Sequence, residues 1–199
     1  HKAEMYYAAR KGMRWGLNLH AGAPDCGTLM PLKKAAVETI RNSHYQHELD
    51  NTPGLKIVRG RGRFVSRGEI VVEGQAYRAP HFLIATGGKP RSVNLPGLDR
   101  VNHLNSYSAM HLPCFPASIT ILGGGVIALE MGQMFARFGS RVTILERGPR
   151  LLAEFDERLT DQFKRMLQRD GVEIFCDILA QRVEMVGDRT CLYALINGA

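Results

Sequence analysis

The residues of this chain best suited to chemistry are Gly123-Gly124-Gly125-Val126-Ile127-Ala128, which carry the pattern G-x-G-x-x-G/A. Gly123 permits a tight turn out of a strand, Gly125 leaves room for a dinucleotide pyrophosphate to approach the backbone, and Ala128 lets the following helix pack closely. A helix starting at Val126 and Ile127 offers the phosphates unpaired N–H donors and the positive end of its dipole. Glu146 lies 21 residues after Gly125, where an acid hydrogen-bonds a ribose 2′-OH. Its carboxylate would repel a 2′-phosphate, which favours NAD. Arg147 and Arg150, just beyond, can each pair with that phosphate, which keeps NADP open. Glu130, one to two turns into the same helix, is either an ordinary glutamate helped by the dipole or a carboxylate aimed past the phosphates towards the nicotinamide or a cation. Gly132 costs the helix about 1 kcal/mol relative to alanine, so close packing is its expected reason.

These groups need a strand, a turn and a helix to hold them, and the sequence supplies the alternation. ASITILGGG reads as a strand, VIALEMGQMFARFG as a helix, SRVTILER as a strand, DERLTDQFKRMLQRDG as a helix and VEIFC as a strand. This βαβαβ order predicts an α/β fold with a doubly wound, Rossmann-type parallel sheet. Residues 181–196 read as strands of a β excursion, after which Asn197-Gly198-Ala199 bring no closing element. Upstream, residues 89–117 are irregular, with Pro90, Pro96, Pro113 and Pro116, and suit a connector. From Leu55 to Leu83 the pattern changes to short β-rich runs, LKIVRG, GRFVS, EIVVEG and the start of HFLIATGG, which predict a small β region with glycine turns. Arg59, Arg61 and Arg63 recur there at period two, which predicts a solvated strand face. No aromatic platform accompanies them, so no nucleic-acid partner is expected. Lys2 to Arg10 and Leu32 to Leu49 read as helices, the second largely exposed and stopped by Asn51-Thr52-Pro53-Gly54.

Composition narrows the class. At 199 residues, with 45% hydrophobic and 23% charged, the chain is neither disordered nor collagen-like, nor a disulfide scaffold. Cys26, Cys114, Cys176 and Cys191 form no C-x-x-C pair, so neither a disulfide nor a metal site is expected. A net charge of +7 favours anionic partners. No run approaches the roughly 20 apolar residues of a membrane span and no secretory leader is visible, so no membrane partner and a cytoplasmic setting are expected. The start at His1, running straight into HKAEMYYAARKGMRW, reads as a beginning inside a larger protein.

Taken in order, these segments resemble the pyridine nucleotide–disulfide oxidoreductase family of flavoproteins. GGGVIALEMGQMFARFGSRVTILER is similar to its NAD(P)H-binding segment, and FLIATGGKPRSVNLPGLD to its Ala-Thr-Gly signature and proline-rich crossover. LKIVRGRGRFVS is similar to the preceding strand pair, and RLLAEFDERLTDQFKRMLQRDGVEIF to the next helix and strand. The resemblance implies FAD together with NAD or NADP as cofactors. Ala85, Thr86, Gly87 and Gly88 would lie against the flavin dinucleotide, and Gly62 at its adenine end. Gly123, Gly124, Gly125, Val126, Ile127, Glu146 and Arg147 would lie at NAD(P)H. Glu130 would be the catalytic-site glutamate near the nicotinamide, and Val183 would pack near the NAD adenine. It further implies that residues 1–115 are the C-terminal part of an FAD-binding domain and 116–199 most of an NAD(P)-binding domain. The redox C-x-x-x-x-C would then lie upstream, the dimerisation domain downstream, and the whole parent would be a homodimer. The wording is nearest mercuric reductase-like members, with dihydrolipoamide dehydrogenase-like members next. The electron acceptor would be a small molecule or a metal ion. A non-catalytic dinucleotide-binding module is the alternative of a different class.

Overall fold

The computed structural model describes residues 1–19 and 21–196, so Asn197-Gly198-Ala199 lie outside the described residues. The chain forms two compact units, one of residues 1–30 with 90–199 and one of residues 31–89. This division follows packing, whereas the expected division at 115/116 follows cofactors.

The first unit is built on the predicted alternation. Strands β4 (Ser118–Leu122), β5 (Arg141–Leu145) and β6 (Val172–Phe175) form a parallel sheet in that order, with Ile119 opposite Val142 and Ile144 opposite Ile174. Helix α5 (Val126–Arg137) links the first two strands and α6 (Glu157–Arg169) the second two. The central strand is buried on alternate residues, Val142 and Ile144 being 0% exposed. Against it α5 turns Leu129, Gly132, Phe135 and Ala136, a spacing that keeps one helical face apolar. Asp156 caps α6 by accepting from the Arg158 and Leu159 amides at 3.0 and 3.3 Å. Two further strands, β7 (Ile178–Val186) and β8 (Arg189–Ile196), pair antiparallel around Gly187, which gives the β excursion.

Helix α1 (Lys2–Lys11) and a 3₁₀ turn (Gly12–Trp15) open the chain. Helix α2 (Cys26–Ile40) starts six residues before the expected Leu32, because Asp25 caps it. The Asp25 carbonyl accepts from Leu29 N–H at 2.9 Å, and its carboxylate accepts from the Thr28 hydroxyl at 2.6 Å. Pro31 sits inside this helix and marks no boundary. A disulfide joins Cys26 to Cys114, with Cα atoms 5.3 Å apart, which overturns the expectation of no disulfide. Local spacing is blind to a pair 88 residues apart that only tertiary packing brings within bridging range. Cys176 and Cys191 are free thiols.

In the second unit the helical run continues through a widened π turn (Arg41–Gln46) and α3 (His47–Asn51). Strands β1 (Gly62–Ser66), β2 (Glu69–Val72) and β3 (Gln75–Arg78) then form an antiparallel meander. Two expected strands do not form: residues 55–61 and 79–90 carry no regular structure. Both runs are apolar and β-prone, but among the described residues neither has a neighbouring strand to complete a ladder. Leu83 is consequently 92% and Ile84 69% exposed. Arg59 and Arg61 therefore precede the strand that carries Arg63. Arg59 instead donates to Gln46 Oε1 at 3.3 Å.

Candidate functional site

The predicted fingerprint becomes a turn with three different glycines. Gly123 leaves β4 at φ +107°, a conformation that L side chains rarely adopt, and its N–H donates to Leu145 O at 2.8 Å, continuing the sheet by one bond. Gly124 is the tightest position: a Cβ there would lie 2.7 Å from Leu151 Cδ2 and 2.9 Å from Glu146 Oε2. Gly125 is the N-cap of α5, in extended backbone, and accepts the first helical bond from Leu129 N–H at 3.1 Å. A Cβ at Gly123 or Gly125 would meet nothing within 4 Å, so the space above the turn is open. No side chain caps α5, and Val126 and Ile127 at its start are exposed. An uncapped helix N-terminus facing open space beside small residues fits a dinucleotide pyrophosphate. Gly132 has the packing role expected of it, since a Cβ there would lie 3.0 Å from Ile144 Cδ1.

Glu146 stands at the end of β5 with its carboxylate fixed from two sides. Gly124 N–H donates to Oε2 and Gly148 N–H to Oε1, the latter at 2.5 Å. A carboxylate has about four acceptor sites, so these two bonds orient it and leave the others open to a diol. Gly148 escaped the sequence reading, and the signal was a glycine two residues after the acid. Gly124, expected at NAD(P)H, is also where the turn and the acid touch.

The loop after β5 is drawn in by unusual backbone. Leu152 and Asp177 are two of three non-glycine residues with positive φ among the described residues, at +47° and +57°. Leu152 N–H donates to Gly124 O and Asp177 N–H to Gly148 O, both at 2.9 Å. The left-handed backbone at both positions thus ties the two glycines that hold Glu146 to the neighbouring loops. Leu151, 2% exposed, fills the space beneath Gly124. Arg150 is committed to this loop, donating to Phe155 O at 2.8 Å and to Ala153 O, and Arg147 is exposed. Burial pushes the nearby Cys176 thiol up. Lys164 opposes this and the charges of Glu146 and Asp177 reinforce it.

Glu130 is exposed on α5, three and four residues after Ile127 and Val126 and therefore on their face, with no ion-pair partner among the described residues. Val183 is 5% exposed, and its side chain is taken up by a cluster with Leu95 and Val101 that reaches the turn through Leu122. Gly62, Ala85, Thr86, Gly87 and Gly88 belong to the second unit. Gly62 lies in β1, where a Cβ would meet Ile70 Cδ1 at 2.8 Å. Residues 85–88 are exposed and irregular, Gly87 has φ +71°, and nothing lies within 4 Å of a Cβ at Gly87 or Gly88, a small and open backbone to which a ligand can come close.

Comparison with known proteins adds the lineage. The family profile described as pyridine nucleotide-disulphide oxidoreductase matches residues 7–196. A mercuric reductase of Bacillus cereus is 33% identical over 195 residues, covering 98% of this chain and 31% of that protein. A dihydrolipoyl dehydrogenase of Bacillus subtilis is 32% identical over 177 residues, covering 85% and 38%. Among solved structures, the HOCl-induced flavoprotein disulfide reductase RclA of Escherichia coli superposes with a TM-score of 0.77 at 24% identity, covering 96% of this chain and 42% of that one, a likeness of fold. The chain spans about a third of the length of the curated relatives it matches. Among the described residues no helix is long and apolar enough to cross a membrane.

Proposed function

Because the chain belongs to the pyridine nucleotide-disulphide oxidoreductase family, we propose that it is the dinucleotide-binding part of an FAD-dependent NAD(P)H oxidoreductase of mercuric reductase-like type. When bound, the two dinucleotides supply the redox chemistry, hydride from nicotinamide to flavin and electrons onward to a disulfide and a small-molecule or metal-ion acceptor. The observation that carries the reading is the open Gly123–Gly125 turn with Glu146 fixed beside it by two backbone amides. Val126 and Ile127 give their N–H groups to the pyrophosphate, Glu146 accepts from the adenosine ribose hydroxyls, and Arg147 answers a 2′-phosphate if one is present. Glu130, exposed on α5, would reach past the phosphates towards the nicotinamide. Ala85, Thr86, Gly87 and Gly88 meet FAD along an exposed, irregular stretch whose glycines leave open space, and Gly62 meets its adenine end through the backbone of β1. In this reading residues 1–115 serve the flavin and 116–199 the nicotinamide dinucleotide, within a longer cytoplasmic homodimer. Val183 contributes to the adenine pocket by supporting its wall rather than by touching the base.

The ribose role is tested by Glu146→Ala in the full protein. Losing a hydrogen bond to a charged acceptor costs about 1.5–3 kcal/mol, so the Kd for NADH should rise at least about tenfold and that for NADPH less. An unchanged NADH to NADPH ratio removes this role. A dihydrolipoyl dehydrogenase-like reading is supported by the match to that enzyme of Bacillus subtilis. Assaying NADPH and NADH oxidation with mercuric ion, and NAD reduction with dihydrolipoamide, separates the two.

A further inference from the structure

We infer that Cys26 and Cys114 are a reversible thiol–disulfide couple, closed and opened by exchange with small-molecule thiols and disulfides of the glutathione class. The pair is distinct from any C-x-x-x-x-C centre: its cysteines are 88 residues apart, one in the first turn of α2 and one between Pro113 and Phe115 in the segment that leads into β4. Their proximity does not depend on the bond itself. Phe138, at the end of α5, stacks on Phe115 with ring centroids 4.1 Å apart, which seats the residue after Cys114. The same Phe138 lies 6.0 Å from Tyr6, whose hydroxyl donates to Gly22 O at 2.5 Å, four residues before Cys26. One buried aromatic ring therefore gathers both cysteine-bearing segments, so the two thiols stay neighbours after reduction and closure is intramolecular.

Access is built in as well. Cys114 is exposed and Cys26 half-buried, and an open cleft of about 320 Å³ lined by Lys2, Tyr6, Pro24, Asp25 and Thr28 lies beside the Cys26 segment. The exposed Cys114 thiolate attacks one sulfur of glutathione disulfide, forming a mixed disulfide and releasing one glutathione thiolate. The Cys26 thiolate then attacks Cys114 Sγ, forms the internal disulfide and releases the second. Two protein thiols are oxidised, one glutathione disulfide is reduced to two glutathiones, and the two thiol protons pass to the departing thiolates. Closing this bond places the whole 31–89 segment inside a covalent loop, a long closure that restricts the unfolded chain strongly.

The test equilibrates the full protein in buffers of varied glutathione to glutathione disulfide ratio. After acid quenching, free thiols are alkylated under denaturing conditions, disulfides are reduced, and the newly freed thiols are labelled with a second reagent for peptide mass spectrometry. Cys26 and Cys114 should move between the two labels together as the ratio changes, and a Cys26–Cys114 linked peptide should be present on the oxidising side. Cys26→Ser should trap Cys114 as a mixed disulfide with one glutathione. The Tm should fall on reduction by on the order of 10 °C, and in Cys114→Ser it should be low at every ratio. The inference is overturned if the two cysteines change label independently, if they stay thiols at the most oxidising ratio or linked at the most reducing one, or if the Tm ignores the ratio.

Discussion

Two stretches of this chain have nearly the same wording and opposite fates. Ile119 to Leu122 followed by Gly123-Gly124-Gly125, and Phe82-Leu83-Ile84-Ala85-Thr86 followed by Gly87-Gly88, are each a short apolar run that ends in glycines. The first is a strand paired with β5, covered by α5, and it delivers its glycines to an ordered turn. The second has no strand partner among the described residues, exposes Leu83 and Ile84, and leaves its glycines in irregular chain. β-Propensity records how well a side chain fits a pleated, half-buried surface, so it becomes a strand only where a partner and a covering layer exist.

This contrast can be broken by mutation. The largest expected effect is on the covered side: Ile144→Ala should lower stability by about 2–5 kcal/mol through lost burial and the cavity left behind, whereas Leu83→Ala in the 199-residue chain should leave the urea midpoint unmoved. A Leu83 effect of similar size would mean that residues 81–84 are packed after all. A smaller effect separates the glycines themselves. Gly124→Ala should cost about 1–3 kcal/mol, because its methyl meets Leu151 and the Glu146 carboxylate. Gly125→Ala should keep the denaturation curve and weaken NADH binding, because its methyl occupies only open space. Gly88→Ala should change neither stability nor NADH binding, and equal behaviour of Gly124 and Gly125 would erase the distinction drawn between them.

The smallest effect concerns acid. Burial acts to raise the Asp170 carboxyl, but hydrogen bonds from Tyr7, Arg137 and Gln133 outweigh it and hold the group below the usual carboxylate range. Arg137 Nε and Gln133 Nε2 both reach Asp170 Oδ2 at 3.0 Å. A carboxyl depressed in the folded state adds stability that is fully present above its unfolded value near 3.8, and is lost as pH falls below that towards the folded value. Asp170→Asn should therefore flatten this part of the acid limb in urea titrations between about pH 5 and pH 2, while a limb of unchanged slope would assign it to other carboxylates.

Legibility from sequence followed the range of the interaction. The α5 start, Glu146 and the βαβαβ order were legible because a strand, three glycines, a helix and an acid at fixed spacing constrain one another within some 25 residues. The helix at 26–51 was found but begun late, since Pro31 resembles a boundary while Asp25 is the actual cap. The strands expected at 55–60 and 81–84 were misread because pairing is non-local. Gly148 was missed because its use, a backbone amide on Glu146, leaves no side chain to recognise.

By itself, the sequence determined the α/β alternation, the fingerprint turn and the acid that ends the second strand, all of which reside in local periodicity and spacing. Only the tertiary structure decided which apolar runs become strands, that Gly124 and Gly148 clamp Glu146, that Val183 is a packing residue, and that Cys26 meets Cys114. Those outcomes depend on which surfaces meet across long stretches of chain. Chain packing around residues such as Phe138 and Ile144 settles such meetings, and no window of neighbouring residues encodes them.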